Sequence, residues 1–323
     1  MSLLVALAAL GLERLAGYPP ALVRAIGHPV IWIGWLIGAG EKAYNNADWS
    51  FEDRRFAGAL VLAGVLAVVL VVTLPLTLAL RALPWGWALE AVLASSLLAQ
   101  KELWAAVGRV GRGLETSLDA GRHAVSQIVG RDTTELDGPE ISRAAIETLA
   151  ENTSDGVIAP LLYLALLGLP GIALYKAINT ADSMVGYRSD RYLAFGWASA
   201  RTDDFVNFLP ARLTALLFAL AAALDRSASG RAAWRTARRD AGKHASPNAG
   251  WPEAAMAGAL GLSLGGPRAY GGRVLDLPTM GDGRRSLGPS DIVAALGLYR
   301  TALWLTLGAM ALVTAGWFAS SLL

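Results

Sequence analysis

The chain contains no cysteine. That excludes disulfides, zinc ribbons, cysteine-ligated iron–sulfur clusters and a thiol nucleophile. Histidine is nearly absent as well, with only His28, His123 and His244, so a histidine-rich metal centre is excluded. Charge is scarce, since Asp, Glu, Lys and Arg make up 17% of 323 residues, where a soluble domain carries about 25%. The charges also nearly cancel, to a net +2. A nucleic-acid binder normally carries a basic excess or stripe, and no nucleic-acid partner is expected. The phosphate-loop pattern G-x-x-x-x-G-K-[ST] does not occur, so a nucleotide would be held by scattered Lys, Arg and Asp side chains. The glycine-rich run Gly265–Gly272 follows no strand pattern and is a weak phosphate signal.

What is abundant is apolar sequence: 54% of residues are hydrophobic and the mean hydropathy is +0.43. Crossing a bilayer takes roughly 20 mostly apolar residues. Ala57–Leu80 offers 24 without a charge, between Arg54–Arg55 and Arg81. Thr301–Leu323 offers another such run. Phe205–Leu224 is long enough but contains Pro210 and Arg212, and Gly86–Gln100 is short and carries Glu90. Met1–Leu12 is too short to span and lacks a basic start or a small-residue cleavage site, so it is read as retained. The expected fold is all-α and polytopic, with about five membrane-embedded helical segments. The expected organisation is one membrane enzyme domain over 1–323, largely extramembrane at 226–300. That last region holds eleven Lys and Arg, which favours the cytoplasmic side.

An internal echo surrounds one broken apolar segment. Ala150-Glu-Asn152-Thr153-Ser-Asp155 returns 27 residues later as Ala177-Ile-Asn179-Thr180-Ala-Asp182. Between the copies, Val157–Ile178 is interrupted by Gly168-Leu-Pro170-Gly171, and Pro with Gly breaks helices. Each half is about 11 residues, or about 16 Å of helix. A re-entrant helical hairpin is therefore expected, with irregular backbone at its tip covered by protein.

Several polar constellations carry chemistry. Asp137-Gly-Pro-Glu140 has the spacing of an N-cap with an acidic third residue. After it, Ile141, Ala145 and Leu149 form an apolar stripe, while Glu147, Glu151 and Asp155 form an acidic one suited to a cation. Lys176 stands at the end of the broken apolar run, sharing a helical face with Asn179 and Asp182, and an intramembrane ionisable residue is a functional candidate. Arg201, Asp203 and Asp204 suit either a hydrated Mg²⁺ beside a phosphate oxygen or, equally, a helix N-terminus where acids favour the dipole. Arg212 lies inside an apolar helix, where it needs a partner or an anionic ligand. Lys243-His244-Ala-Ser246-Pro-Asn248-Ala-Gly-Trp251-Pro-Glu253 reads as a turn leading into a helix Glu253–Leu262 that Gly265-Gly266 ends, a plausible anion site.

The strings Gly130-Arg131-Asp132-Thr133, Glu151–Gly156, Lys176–Arg188, Phe195–Arg201 and Lys243–Glu253 together resemble the adenosylcobinamide-phosphate synthase family of cobalamin biosynthesis. Their order and spacing match over nearly the whole chain, and His28-Pro29-Val30 with Trp32, Gly34 and Glu41 resembles the family's N-terminal block. One departure stands near the N-terminus. Where the family has Gly-Asp-Pro preceded by an Asp, this chain has Gly17-Tyr18-Pro19 and Glu13.

The resemblance implies an ATP-dependent amide ligase in the inner (cytoplasmic) membrane, multi-pass, with its active site facing the cytoplasm. It implies adenosylcobyric acid, a corrinoid, as one substrate and (R)-1-amino-2-propanol or its O-phosphate as the other. Later membrane enzymes of the pathway are implied as possible associates. The chemistry calls for ATP and Mg²⁺, cationic clamps, and a base for the attacking amine. On that basis Glu151, Asp155, Asp182, Asp203 and Asp204 are the candidate metal ligands. Lys176, Lys243, His244 and Glu253 are the candidate catalytic groups. Arg131, Asn152, Thr153, Asn179, Tyr187, Arg201, Arg212, Ser246 and Asn248 are the candidate substrate and phosphate contacts. Trp197, Trp251 and Tyr187 offer an apolar wall for the corrin. The competing expectation is a transporter of a corrinoid or an anionic small molecule, since broken helices with charged ends occur there too.

Overall fold

A computed structural model describes residues 1–270, 273–275 and 277–320, without the side chains of 20, 268–270 and 273–275. Gly271 and Gly272 of the glycine-rich run, and the last three residues of the C-terminal apolar run, lie outside the described residues. The chain divides into two compact units: 1–99, 159–207 and 310–323 form the first, and 100–158 with 208–309 form the second.

The first unit contains α1 (Ser2–Ala16), α2 (Pro20–Ile26), α3 (Pro29–Tyr44), α4 (Phe51–Arg81), α5 (Gly86–Ser95), α9 (Ala159–Val185) and α10 (Trp197–Val206). The second contains α6 (Gln100–Thr116), α7 (Leu118–Ser126), α8 (Gly138–Thr153), α11 (Phe208–Ala223), α12 (Gly230–Asp240), α13 (Gly250–Leu260) and residues 289–309 of α14 (Pro289–Ser320). Strands are short: Leu264–Gly265 pairs antiparallel with Thr279–Met280, and Arg268–Tyr270 with Arg273–Leu275. The fold is thus helical, as the composition predicts.

Four helical stretches among the described residues are long and apolar enough to cross a membrane: Ala21–Tyr44, Phe51–Arg81, Gly138–Val185 and Pro289–Ser320. A fifth is counted if α10 and α11 form one broken span. Ala21–Tyr44 is not among the runs marked from sequence, because Arg24 and His28 interrupt it. The C-terminal helix begins at Pro289 rather than at the apolar Thr301. Its polar first turn is capped where Gly288 N–H donates to Asp291 Oδ2 at 2.8 Å and Arg284 grips the same carboxylate at 2.6 Å. Helix α9 extends to Val185 and so carries Thr180, Asp182 and Ser183.

Gly168 breaks α9, at φ 72° and ψ −159°, a conformation open to glycine alone. The chain reverses there. Tyr163 and Tyr175 stack with ring centroids 5.3 Å apart, although twelve residues of straight helix would separate them by about 18 Å. A side chain at Gly171 would collide with the Tyr163 carbonyl and Leu167. The expected hairpin is therefore present, with Gly168 at its tip and its two arms antiparallel.

Glu90 explains how the tip is tolerated. Its side chain is fully buried, and Leu169 N–H, freed by the break, donates to its Oε1 at 3.3 Å. Arg81 neutralises it with two bonds of 2.9 and 2.8 Å and reaches Ser2 Oγ at 3.1 Å. The charge that spoiled Gly86–Gln100 as a span is the cap of the hairpin. A Cβ at Gly168 would also crowd Arg81 Nη2 at 2.8 Å and Glu90 Oε1 at 3.1 Å. Gly168→Ala is thus expected to cost about 1–3 kcal/mol, read as a lower midpoint of thermal unfolding in detergent; an unchanged midpoint would contradict this geometry.

In the second unit, α8 begins with the expected capping box: Glu140 N–H donates to Asp137 Oδ1 at 2.8 Å, and Asp137 N–H to Glu140 Oε2 at 3.0 Å. Ile141, Ala145 and Leu149 are wholly buried. Burying three such side chains contributes a few kcal/mol.

Candidate functional site

In the first unit a buried polar network joins α9 to α10 and the residue that follows it. Tyr175 donates to Asn207 Oδ1 at 2.8 Å, and Asn207 Nδ2 donates to Asp203 Oδ2 at 2.9 Å. Asn179 Nδ2 donates to Asp203 Oδ1 at 3.3 Å. Lys176, one turn before Asn179, lies within electrostatic reach of Asp203. The carboxylate of Asp203 is therefore the hub that orients Asn179. Asp204 points elsewhere, to Arg201 at 3.4 Å. Neighbouring residues on a helix diverge by about 100°, so Asp203 and Asp204 do not share one ligand position.

The hydroxyls of Thr180 and Ser183 return to the carbonyls of Lys176 and Asn179 at 2.6 and 2.8 Å. Asp182 stands in the last turn of α9, where its carbonyl accepts Gly186 N–H at 2.7 Å and its carboxylate lies against Gly186. Tyr187 is exposed in the connector beyond. Arg55 stacks over the Trp197 ring at 3.7 Å. Glu41 accepts two bonds from Arg191, at 2.9 and 3.0 Å, tying α3 to the same connector.

In the second unit, α8 runs into a π-helical turn, Ser154–Ile158, which carries Asp155. π-turns occur mostly as single insertions and often at functional sites. Asn152 and Thr153 bond back to the carbonyls of Thr148 and Leu149 at 3.1 and 2.6 Å. Ser154 is buried, and its Oγ has no hydrogen-bond partner among the described residues. Glu147 is a structural tie: it accepts Gly265 N–H at 2.7 Å and faces Arg131 at 3.5 Å.

Helix α11 packs on the π-turn and on α13, and it carries Arg212. The Arg212 guanidinium donates to Phe208 O at 2.7 Å and to Asn248 Oδ1 at 2.9 Å. It lies over the rings of Phe208 and Trp251 at 3.7 and 4.8 Å. Arg212, unexplained inside an apolar helix, is thus stacked between aromatic faces and aimed at the Lys243–Glu253 turn.

That turn is built by its own side chains. Ser246 N–H donates to His244 Nδ1 at 3.0 Å, and Ser246 Oγ accepts the N–H groups of Asn248 and Ala249, each at 3.2 Å. Nδ1 also lies 3.4 Å from Ser246 O, so both contacts of the ring with the turn are made through Nδ1. Nε2 faces Glu253 Oε1 at 3.6 Å. Helix α13 starts at Gly250, ahead of the expected Glu253. It ends at Gly261 in the left-handed region, φ 65°, ψ 42°, rather than at Gly265-Gly266, because Gly261 supplies the C-cap.

Lys243 bonds Asp240 at 2.8 Å. The fully buried Asp240 carboxylate also meets Arg239 at 2.6 Å and accepts Gly281 N–H at 2.9 Å. Arg239 first, then Lys243 and Gly281 N–H, hold Asp240 well below the usual carboxylate range against the opposing effect of burial. Its stabilising contribution is present above the unfolded carboxylate value near ~3.9 and is lost as pH falls toward the lower folded value. Asp240→Asn should therefore lower the unfolding midpoint at pH 7 and reduce its dependence on pH below ~4. Thermal unfolding measured between pH 3 and 7 checks this; parallel curves for variant and parent would contradict it.

Among the described residues, no group of three or more His, Asp or Glu side chains is placed to hold a metal ion. Of the sequence candidates, Lys176, Asn179 and Asp203 come together in the first unit. Arg212, Asn248, Ser246, His244 and Glu253 come together in the second. Asn152–Asp155 belongs to the second unit and Asn179–Asp182 to the first. Two residues of the network were not singled out from sequence, Tyr175 and Asn207. The available signal was Asn207 itself, a lone amide at the threshold of the apolar helix α11.

Long apolar helices, a capped helical hairpin and buried polar networks define an all-α, multi-span membrane protein. The chain belongs to the CobD/Cbib protein family, whose match extends over residues 6–299. It is 47% identical over 301 residues to the cobalamin biosynthesis protein CobD of Rhodobacter capsulatus, covering 91% of this chain and 92% of that one. It is 47% identical over 307 residues to the protein of the same name from Rhizobium meliloti, covering 93% of each. To that of Brucella suis it is 44% identical over 314 residues, covering 96% of this chain and 95% of the relative. No solved structure matches the chain.

Proposed function

We propose that this protein acts in cobalamin biosynthesis as an ATP-dependent amide ligase of the inner membrane, with its active site on the cytoplasmic side. It joins the free propionate carboxylate of adenosylcobyric acid to the amine of (R)-1-amino-2-propanol or its O-phosphate. Similarity to CobD proteins over more than nine-tenths of the chain carries this reading. Those relatives are named for biosynthesis and not for transport, which weighs against the transporter alternative.

A carboxylate does not acylate an amine at neutral pH until one of its oxygens can leave. In the proposed route a carboxylate oxygen attacks the γ-phosphorus of ATP and ADP departs. The amine then attacks the acyl carbon, phosphate leaves with the former carboxylate oxygen, and the ammonium proton passes to a base. Glu253 is the proposed base. His244 Nε2 lies 3.6 Å from that buried carboxylate and is proposed to orient it, which leaves Glu253 as the preferred group for the proton transfer. Arg212, presented by Phe208, Trp251 and Asn248, is the principal proposed clamp on phosphate charge. Arg131, Lys176, Arg201 and Lys243 are the further cations proposed, and Asn152, Thr153, Asn179, Ser246 and Asn248 the polar contacts. Trp197, Trp251 and Tyr187 are proposed to meet the corrin.

Mg²⁺ commonly keeps several waters and takes one or two carboxylates together with substrate phosphates, so a three-carboxylate cage is not required. Glu151, Asp155, Asp182 and Asp204 are the carboxylates proposed for it. Asp203 is less suited, because both its oxygens already accept amide donors. When bound, the ion would supply charge neutralisation at the transferring phosphoryl group.

Asp182→Asn is expected to reduce turnover by at least about tenfold while the protein still elutes as a folded species; near-normal turnover would remove Asp182 from the ligand set. The route itself is tested with ¹⁸O in the propionate carboxylate. The label is expected in inorganic phosphate, one atom per amide formed. Label that stays out of phosphate would overturn the acyl-phosphate route.

A further inference from the structure

The second unit carries two exposed faces beside the candidate site; Trp234 borders that site, its ring 6.2 Å from that of Trp251. Helices α11 and α12 pack on each other and both pack on α13. Gly230, the first residue of α12, sits against Ala219 and Ala223 in the last turns of α11. Helix α13 is buried along nearly its whole length. The free faces of α11 and α12 therefore form the outside of this three-helix group.

The free face of α11 is apolar. Leu209, Leu216 and Leu220, with Leu224 just past its end, are all exposed, and their spacing places them on one stripe of the helix. The free face of α12 is cationic. Ala233, Thr236, Ala237 and Asp240 are buried, while Arg231, Trp234, Arg235 and Arg238 are exposed. Arg226 precedes the helix and is exposed too. None of these four arginines has a side-chain hydrogen bond or ion pair among the described residues. The nearby acid Asp225 is turned onto Ser227, with bonds of 2.8 and 2.7 Å. Arg239 differs from them in being spent on Asp240 and Asp282. A folded solvent-facing helix normally mixes its charges, whereas this face has one sign and a tryptophan at its centre.

We infer that α12 lays its Arg231–Trp234–Arg235–Arg238 face on the anionic phospholipid headgroups of the bilayer, beside the leucine stripe of α11 at the acyl boundary. The occupant follows from charge and setting. The chain has helices apolar enough to cross a membrane, so a bilayer lies beside it. Unpaired arginines gain from anionic headgroups within a Debye length of the surface. Tryptophan favours the same depth, and an amphipathic helix with Arg on one side is suited to the interfacial plane. This inference goes beyond the proposed catalysis and does not depend on it.

The absence of native cysteine allows one probe position. Ala232→Cys, on α12 next to the stripe, is labelled with an environment-sensitive fluorophore. The full-length protein is then placed in nanodiscs of phosphatidylcholine alone or with about one-third phosphatidylglycerol. Emission is expected to shift to the blue in the anionic discs, and the shift is expected to vanish at 1 M salt, where screening extends only about 3 Å. Adding R231Q, R235Q and R238Q together should abolish the shift, while the triple Lys replacement, which keeps the charge and controls for folding, should retain it. Equal emission in both discs would overturn the inference. So would a shift produced by ATP in neutral discs and not by phosphatidylglycerol, which would give the stripe to a soluble anion.

Discussion

Glu253→Gln is expected to lower ATP-dependent amide formation by two to four orders of magnitude, the range that general acid–base groups supply. Glu253 is 1% exposed and stands at the start of α13, facing His244 Nε2 at 3.6 Å. Gln keeps the shape and loses the proton acceptor. The fall should therefore lie in kcat, with KM for the corrinoid little changed. The acidic limb of the pH–rate profile, which reports an essential base in its protonated form, should disappear with it. His244→Ala is expected to have a smaller effect, because it removes the group that orients the carboxylate and not the carboxylate. A kcat within threefold of the parent for Glu253→Gln would take the base role away from this residue.

Asp203→Ala is the second large effect, and it is structural as well as functional. Asn179, Asn207 and, through Asn207, Tyr175 all depend on this buried carboxylate. Removing it leaves the buried Asn207 amide and the half-buried Asn179 amide without this acceptor, a loss of about 2 kcal/mol. The variant should unfold at a lower temperature and lose turnover, since Asn179 is no longer held. Asp203→Glu places a carboxylate one methylene further on and should recover part of both. If Asp203→Ala kept the parent's unfolding midpoint, the hub described here would not exist in solution.

The membrane-spanning architecture was legible because hydrophobic length is a local property. Ala57–Leu80 announces α4 by itself, and the Gly168-Leu-Pro170-Gly171 break announces the hairpin. The hidden part was what stabilises the tip. Glu90 is 79 residues from Leu169, and nothing in the local pattern of Gly86–Gln100 reveals that its charge answers a free N–H there. The capping box at Asp137 and Glu140 was readable for the same local reason. The end of α13 was misplaced, because Gly261 and Gly265-Gly266 are equally good terminators on paper. In the polar clusters, the residue types were visible and their partners were not. Asp203 and Asp204 look like a pair in sequence, yet helical rotation sends one to Asn179 and the other to Arg201. Glu147 looks like part of an acidic face, yet it is committed to Gly265 N–H and Arg131. Tyr175 and Asn207 join a network only through contacts across the fold.

The central claim is that this membrane protein consumes ATP to join a corrinoid carboxylate to an aminopropanol. The direct measurement is made on purified full-length protein in lipid, supplied with adenosylcobyric acid, Mg²⁺, ATP and aminopropanol or its O-phosphate. The account predicts that adenosylcobyric acid is converted to the amide with one ADP and one phosphate released per product, and that omission of either ATP or the amine stops the conversion. ATP-independent disappearance of adenosylcobyric acid from one side of a sealed vesicle, with the corrinoid recovered unchanged on the other, would contradict it.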